Sequence, residues 1–345
     1  MATVPRNGAV MPAEFSRHER TVMCWPAREE LYGDLFAEAE RAHAEVARTI
    51  SQFEPVTVIA DQRHIERAAK IVGDGVDVVE MPIDDSWFRD SGPIYVRDES
   101  GAVLATSWTF NGWGGKFSPI SKDVEIASRY AMSRGDALRE IPMVLEGGSL
   151  TVNGDGVLVT TMQCLLHPNR NPHLSKRDIE NRLRDELGAR SIMWLPHGLE
   201  LDDDTDGHVD NVAAFASTDH LLLQGCNDPG KADHARMAIN AKIAEDFRTH
   251  DGTPLRTTVV PVLPFTEVNG TTVVVPYLNF YVGNGFVLVP TCGHEADDDM
   301  VAFIGEQFPG RTTIGLDVGA VLAVGGGGIH CITQQVPAVS ATSPH

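Results

Sequence analysis

Five times along the chain an amphipathic helical stretch runs into a short turn and then a short apolar strand. Leu35 to Phe53 leads into Val56 to Ala60, Lys122 to Arg134 into Ile141 to Leu145, and Ser175 to Leu187 into Ser191 to Leu195. Lys231 to Phe247 leads into Thr257 to Val262, and Ala296 to Phe308 into Thr312 to Leu316. The third helix opens on Ser175-x-x-Asp178, a capping-box-like start. Further strand-like runs lie between the units at Val76 to Met81, Val157 to Met162, Leu221 to Gln224, Val273 to Val275 and Phe286 to Pro290. Alternation of this kind has a doubly wound parallel sheet as its default. Here, however, the strands are many and short, and several follow one another with no helix between. Mixed sheets in a ring about a pseudo-fivefold axis fit better, with loops from different repeats meeting at the centre.

With no low-complexity linker and no break in composition, the 345 residues are expected to form one domain (1–345), its core about 10–337 between short flexible tails. Met1 to Phe15 lacks an apolar run of the signal-peptide kind, and no run reaches 18 apolar residues, so a cytoplasmic chain without a membrane span is expected. The formal charge of −20 repels nucleic acid and anionic membranes and favours small cations. Five widely spaced cysteines, never paired as C-x-x-C, argue against a disulfide framework and a zinc finger. Cys24, Cys164, Cys226 and Cys292 read as small core residues in or beside apolar runs.

Four segments carry chemistry. In Asp84 to Pro93, read as extended, Trp87 and Arg89 share one side while Asp90 lies with Phe88. In Leu145 to Ser149 a carboxylate, Glu146, precedes two glycines. The acidic run Glu200 to Asn211 imitates an EF-hand at Asp202, Asp204, Asp206 and Gly207. Its twelfth position is Ala213, so calcium is rejected. Read with period two, Asp204, Asp206, His208 and Asp210 line one side of an extended segment, whose repulsion calls for a cation. No Lys or Arg occurs from Met193 to Ser217, which suits a cationic ligand. Finally, Val324 to Pro337 sets four glycines and His330 before Cys331, leaving space beside a thiol.

Together these segments resemble the agmatine deiminase and Porphyromonas-type peptidylarginine deiminase family. The resemblance runs from Met11-Pro12-Ala13-Glu14-Phe15 almost to Pro337. It includes D-x-W-x-R-D-x-G-P at 85–93, N-x-W-G-G at 111–115, E-G-G-S at 146–149, Pro168 to Pro172, Asp204 to Asp210 and Gly325 to Gln335. Ala214 departs from it, since many relatives carry Arg there. The resemblance implies the five-fold pseudosymmetric α/β propeller (pentein fold) with the active site on its axis. It implies a hydrolase acting on the C–N bonds of linear amidines, with agmatine as substrate, on the route to putrescine, without metal or cofactor. Cys331 aligns with the nucleophile, His208 with the general acid/base, Asp90 and Asp210 with the guanidinium clamp, and Glu146 with the support of His208. Trp87 aligns with an aromatic wall. Asp204 is the preferred contact for the distal amine, with Gly327 lining the site. The expected partner is a small cationic guanidine, and the oligomeric state stays open, a homo-oligomer included. Rival readings are deimination of arginine or peptidyl-arginine, a metal-dependent hydrolase on His208 and the aspartates, and a non-catalytic polyamine binder.

Overall fold

The computed structural model describes residues 8–339. Residues 1–7 of the expected N-terminal tail, and the C-terminal tail from 340 on, lie outside the described residues. The five predicted helices are present at Phe36–Ser51, Asp123–Arg134, Lys176–Leu187, Ala232–Asp246 and Asp297–Gln307. In the first, Ala39, Ala42, His43, Val46, Ala47 and Ile50 are buried at the three- and four-residue spacing of one helix face. Ser175 caps the third, accepting from the Asp178 amide while Asp178 reaches back to the Ser175 amide.

Each helix is a crossover inside a small mixed sheet, and five such sheets form the blades of an α/β propeller. In blade two Ile94–Arg97 runs antiparallel to Val103–Thr109, which then pairs in parallel with Ala137–Val144. Thr151–Val152, Val157–Thr161 and Ser191–Leu195 repeat that order in blade three. So do Ala213–Ser217, His220–Gln224 and Arg256–Val260 in blade four, and Tyr281–Gly283, Phe286–Pro290 and Thr312–Leu316 in blade five. Blade one is assembled from both ends of the chain. Thr333–Pro337 pairs antiparallel with His18–Cys24, which pairs in parallel with Val56–Ala60, and Asp77–Glu80 adds a further parallel strand. The ring therefore closes by strand pairing rather than by side-chain contact alone.

The middle strands explain the short unbroken apolar runs of the sequence. Val56–Ala60, Val157–Thr161, His220–Gln224 and Phe286–Pro290 are buried at every position, because both of their faces are covered. Burying each large aliphatic side chain there contributes about 1.5–3 kcal/mol. A hairpin, Phe265–Val268 with Thr271–Val274, stands apart from the blades between the fourth and the fifth. Among the described residues no helix is long and apolar enough to cross a membrane.

Candidate active site

Five connections carry the chain from one blade to the next, and each delivers a polar side chain to the centre. The first brings Trp87 and Asp90, the second Glu146, the third His208 and Asp210, the fourth Asn279 and the fifth Cys331. Repetition of the fold thus becomes convergence of chemistry from points spread over some two-thirds of the sequence.

The first connection is not extended, contrary to the sequence reading. Phe88–Ser91 is a helical turn, with the amides of Asp90 and Ser91 both donating to the Trp87 carbonyl. Winding the chain sends Arg89 and Asp90 apart. Arg89 leaves toward Glu14 (3.0 Å) and Gln335 (2.8 Å). Asp90 enters the site, where Trp113 Nε1 donates to Oδ2 (2.9 Å) and the Gly148 amide donates to Oδ1 (2.9 Å).

The third connection is not extended either. Asp206 has a left-handed backbone (φ 61°) and Val209–Asn211 is a single helical turn. Asp202 organises the loop from within, accepting from Thr205, from the His208 amide (3.0 Å) and from Asn211 (3.0 Å). The four acidic and imidazole side chains therefore do not share one face. Asp206 turns to Lys116 (2.6 Å), Asn169 and Arg170 (2.8 Å). The cations that the local sequence lacks are supplied from two other segments.

His208, Asp90 and Asp210 meet around Gly148. A methyl group placed there would lie 2.6 Å from His208 Nδ1, 2.8 Å from Asp90 Oδ1 and 3.0 Å from Asp210 Oδ2, so only glycine fits. His208 Nδ1 is 3.8 Å from Asp90 Oδ1. The Cys331 sulfur lies 3.4 Å from Asp210 Oδ2 and 3.2 Å from Asn279 Nδ2. Gly327 lines the cleft outside the site and is also tightly packed from behind. A Cβ on it would be 2.5 Å from the Trp87 ring and 2.9 Å from Cys331 Cβ. Trp87, Asp90, Trp113, Phe117, Asp204 and Cys331 line a narrow slot. Asp204 also lines the wider cleft outside it, which the hairpin residues Val268 to Val274 border. All seven named side chains of the sequence reading thus converge, Asp204 at the mouth and Glu146 behind His208. Asn279 and Trp113 went unassigned, because an amide and an indole carry no charge or nucleophile to betray them. The N-x-W-G-G run at 111–115 was the one available signal for Trp113.

Burial dominates the electrostatics. It pushes the Asp90 carboxyl up, helped by Asp210 and Glu146, to about 8. Asp210 is equally buried, yet the hydrogen bond and charge of His330 hold its carboxyl below the usual range. Burial pulls His208 down to about 3, leaving it neutral. Burial, Asp210 and Asp90 together push the Cys331 thiol well up. The resting site is a neutral thiol beside a neutral imidazole, with one carboxyl protonated and one ionised. A planar cation between the carboxyls would oppose the upward shifts of Asp90 and Cys331 and keep His208 neutral.

Glu146, Cys164 and His208 place potential metal-binding atoms within 4.8 Å of one another. Arg170 already provides the positive charge there, with Nε 2.6 Å from Glu146 Oε1 and its side chain fully buried. Cys24, Cys164 and Cys226 are buried as expected, while Cys292 is partly exposed.

The family model for Porphyromonas-type peptidyl-arginine deiminase matches residues 10–337. An agmatine deiminase of Stutzerimonas stutzeri is 37% identical, the match covering 98% of each chain. One from Medicago truncatula is 36% identical, covering 96% of this chain and 97% of that one. The solved structure of the agmatine deiminase of Enterococcus faecalis superposes with a TM-score of 0.93 at 29% identity, covering 98% of both chains.

Proposed function

The chain belongs to the Porphyromonas-type peptidyl-arginine deiminase family, and on that premise we propose that it hydrolyses the guanidinium of agmatine to N-carbamoylputrescine and ammonia through Cys331. The observation that carries this reading is the slot itself. Cys331 and Asp90 line a space walled by Trp87 and Trp113 with Asp204 at its mouth, and His208 and Asp210 meet Asp90 around Gly148, a setting that suits a planar cation.

A guanidinium between Asp90 and Asp210 is held by paired N–H donors, as in an Arg–carboxylate fork, and its central carbon is presented to the sulfur. Its charge lowers the pKa of the thiol, which in the empty site is too basic to react. The thiol proton passes to His208 as the sulfur attacks. His208 then gives that proton to departing ammonia, leaving an amidino group on Cys331. Water deprotonated by His208 attacks the adduct and releases the urea-type product, restoring the thiol. Asn279 donates to the sulfur throughout. Trp87 and Trp113 wall the slot, and Glu146, neutralised by Arg170, backs His208. The distal ammonium lies toward Asp204. Five free cysteines suit a reducing compartment, which supports a cytoplasmic setting.

The test is ammonia release from agmatine, arginine and a peptidyl-arginine, with mass spectrometry of quenched enzyme. Agmatine should be preferred in kcat/KM, Cys331→Ala should be inactive but folded, and the amidino adduct should map to the Cys331 peptide. Preference for arginine or peptidyl-arginine would overturn the substrate, and an adduct on Cys164 would overturn the nucleophile.

A further inference from the structure

His330, next to the nucleophile, has no part in the steps above. Its ring is nonetheless fixed at both ends. Nδ1 is 2.9 Å from Asp210 Oδ2, and Nε2 is 2.8 Å from Glu14 Oε2. Glu14 cannot turn away, since the Val282 amide donates to its Oε1 (2.8 Å) and Arg89 donates to its Oε2 (3.0 Å). A neutral imidazole has one N–H and one lone pair. Between two carboxylates it would satisfy one and repel the other, whereas an imidazolium donates to both.

We propose that His330, held as an imidazolium between Glu14 and Asp210, is a positioning residue that keeps Asp210 ionised and oriented beside the Cys331 sulfur. The inference rests on the reading of Asp210 and Cys331 given above. With Oδ2 taken by His330 and the thiol, Oδ1 of Asp210 is buried without a partner, an acceptor left open for a substrate N–H. The charged groups facing His330 are Glu14 from the N-terminal segment, Asp210 from the third connection and Arg89 from the first, with the neutral imidazole of His208 across the site. Burial and Arg89 act against the cation. Glu14 and Asp210 more than offset them, and the pKa of His330 ends raised.

Glu14 and His330 border a second hollow, walled by Met11, Leu150, Ala214 and Phe280, apart from the tryptophan-lined slot. His330 can therefore exchange its proton with solvent while substrate fills the slot, so its ionisation should govern both kcat and kcat/KM.

Glu14→Gln keeps the shape and, with its carbonyl oxygen toward the ring, the hydrogen bond from His330, while losing the bond from the Val282 amide and one of the two charges. The active imidazolium should then be lost at lower pH, so the alkaline limb of both profiles moves down in pH. Each unit of movement costs about tenfold in rate on that side, while the acidic limb stays in place. His330→Asn should lose activity at all pH values. Nitrogen NMR of the wild-type enzyme, with the His330 signals identified by their loss in His330→Asn, should show both ring nitrogens protonated at neutral pH. A neutral His330 ring would overturn the proposal, as would a folded Glu14→Gln enzyme with the wild-type alkaline limb. If Glu14→Gln fails to fold, the wild-type spectrum decides. Turnover by Cys331→Ala would instead sink the underlying reading, whatever the spectrum of His330.

Discussion

Asp90 and Asp210 are the same side chain in two ionisation states, and the difference comes from what each touches. Asp210 has an imidazole against it. Asp90 has an indole and a backbone amide, which donate hydrogen bonds but bring no charge. Guanidinium binding requires Asp90 ionised, so kcat/KM should climb as pH rises toward about 8 and then level until the alkaline limb begins. At pH 7 the Cys331→Ala enzyme should release close to one proton per agmatine bound, measured by calorimetry in buffers of different ionisation enthalpy. Asp90→Asn should abolish both effects and lower kcat/KM on the order of 10²-fold or more; a rising limb that survives in it would assign the ionisation elsewhere. Asp204 sits at the mouth of the slot, remote from the sulfur end. Asp204→Asn should raise KM for agmatine more than it lowers kcat, and should narrow the gap to neutral-tailed guanidines. The resemblance names Cys331, His208 and the two clamp aspartates together, and the structure brings them to one place, although the Asp90 segment alone reads as an ordinary loop. Asn279 was not legible in the sequence, and neither was the bond between His330 and Glu14, whose partners are 316 residues apart.

The helices were legible to within a residue or two, since their periodicity and caps are local. Ser175→Ala should cost about 1 kcal/mol in urea unfolding, the usual worth of such a cap. Segments whose conformation is imposed from elsewhere were misread. Period two suggested an extended Asp204 to Asp210, but the loop is bent by Asp202 inside it and tied by Lys116 and Arg170 outside it. Charge counting within one stretch cannot see a cation that arrives from another. Arg170 joins the loop to Glu146, so Arg170→Met should leave a buried carboxylate unpaired and destabilise the fold by about 3–5 kcal/mol. Chemical denaturation will measure it, and a loss under 1 kcal/mol would show Glu146 to be protonated and self-sufficient. Strands on blade margins, such as Tyr281–Gly283 and Thr151–Val152, are too short to announce themselves.

At the scale of the whole molecule, the repeat was legible and its closure was not. Nothing in the pattern of Thr333–Pro337 says that its partner is His18–Cys24, yet the pairing fixes Cys331 two residues before the closing strand. Deleting 333–337 should therefore abolish activity and expose the His18–Cys24 edge, with aggregation in light scattering as the readout; an active, monodisperse truncation would contradict this account of closure. Because His18 and Pro337 face one another across that pair, the two ends of the ring lie side by side. The blade-to-blade order is then a cycle, and the chain could be cut at a different exposed turn and rejoined between Val10 and Ala338, which both contact Arg97. A permutant opened at the Asn269-Gly270 hairpin tip would keep every blade intact. It would also place new termini beside the cleft that leads to the slot, where an appended peptide could gate entry without altering the residues that do the chemistry.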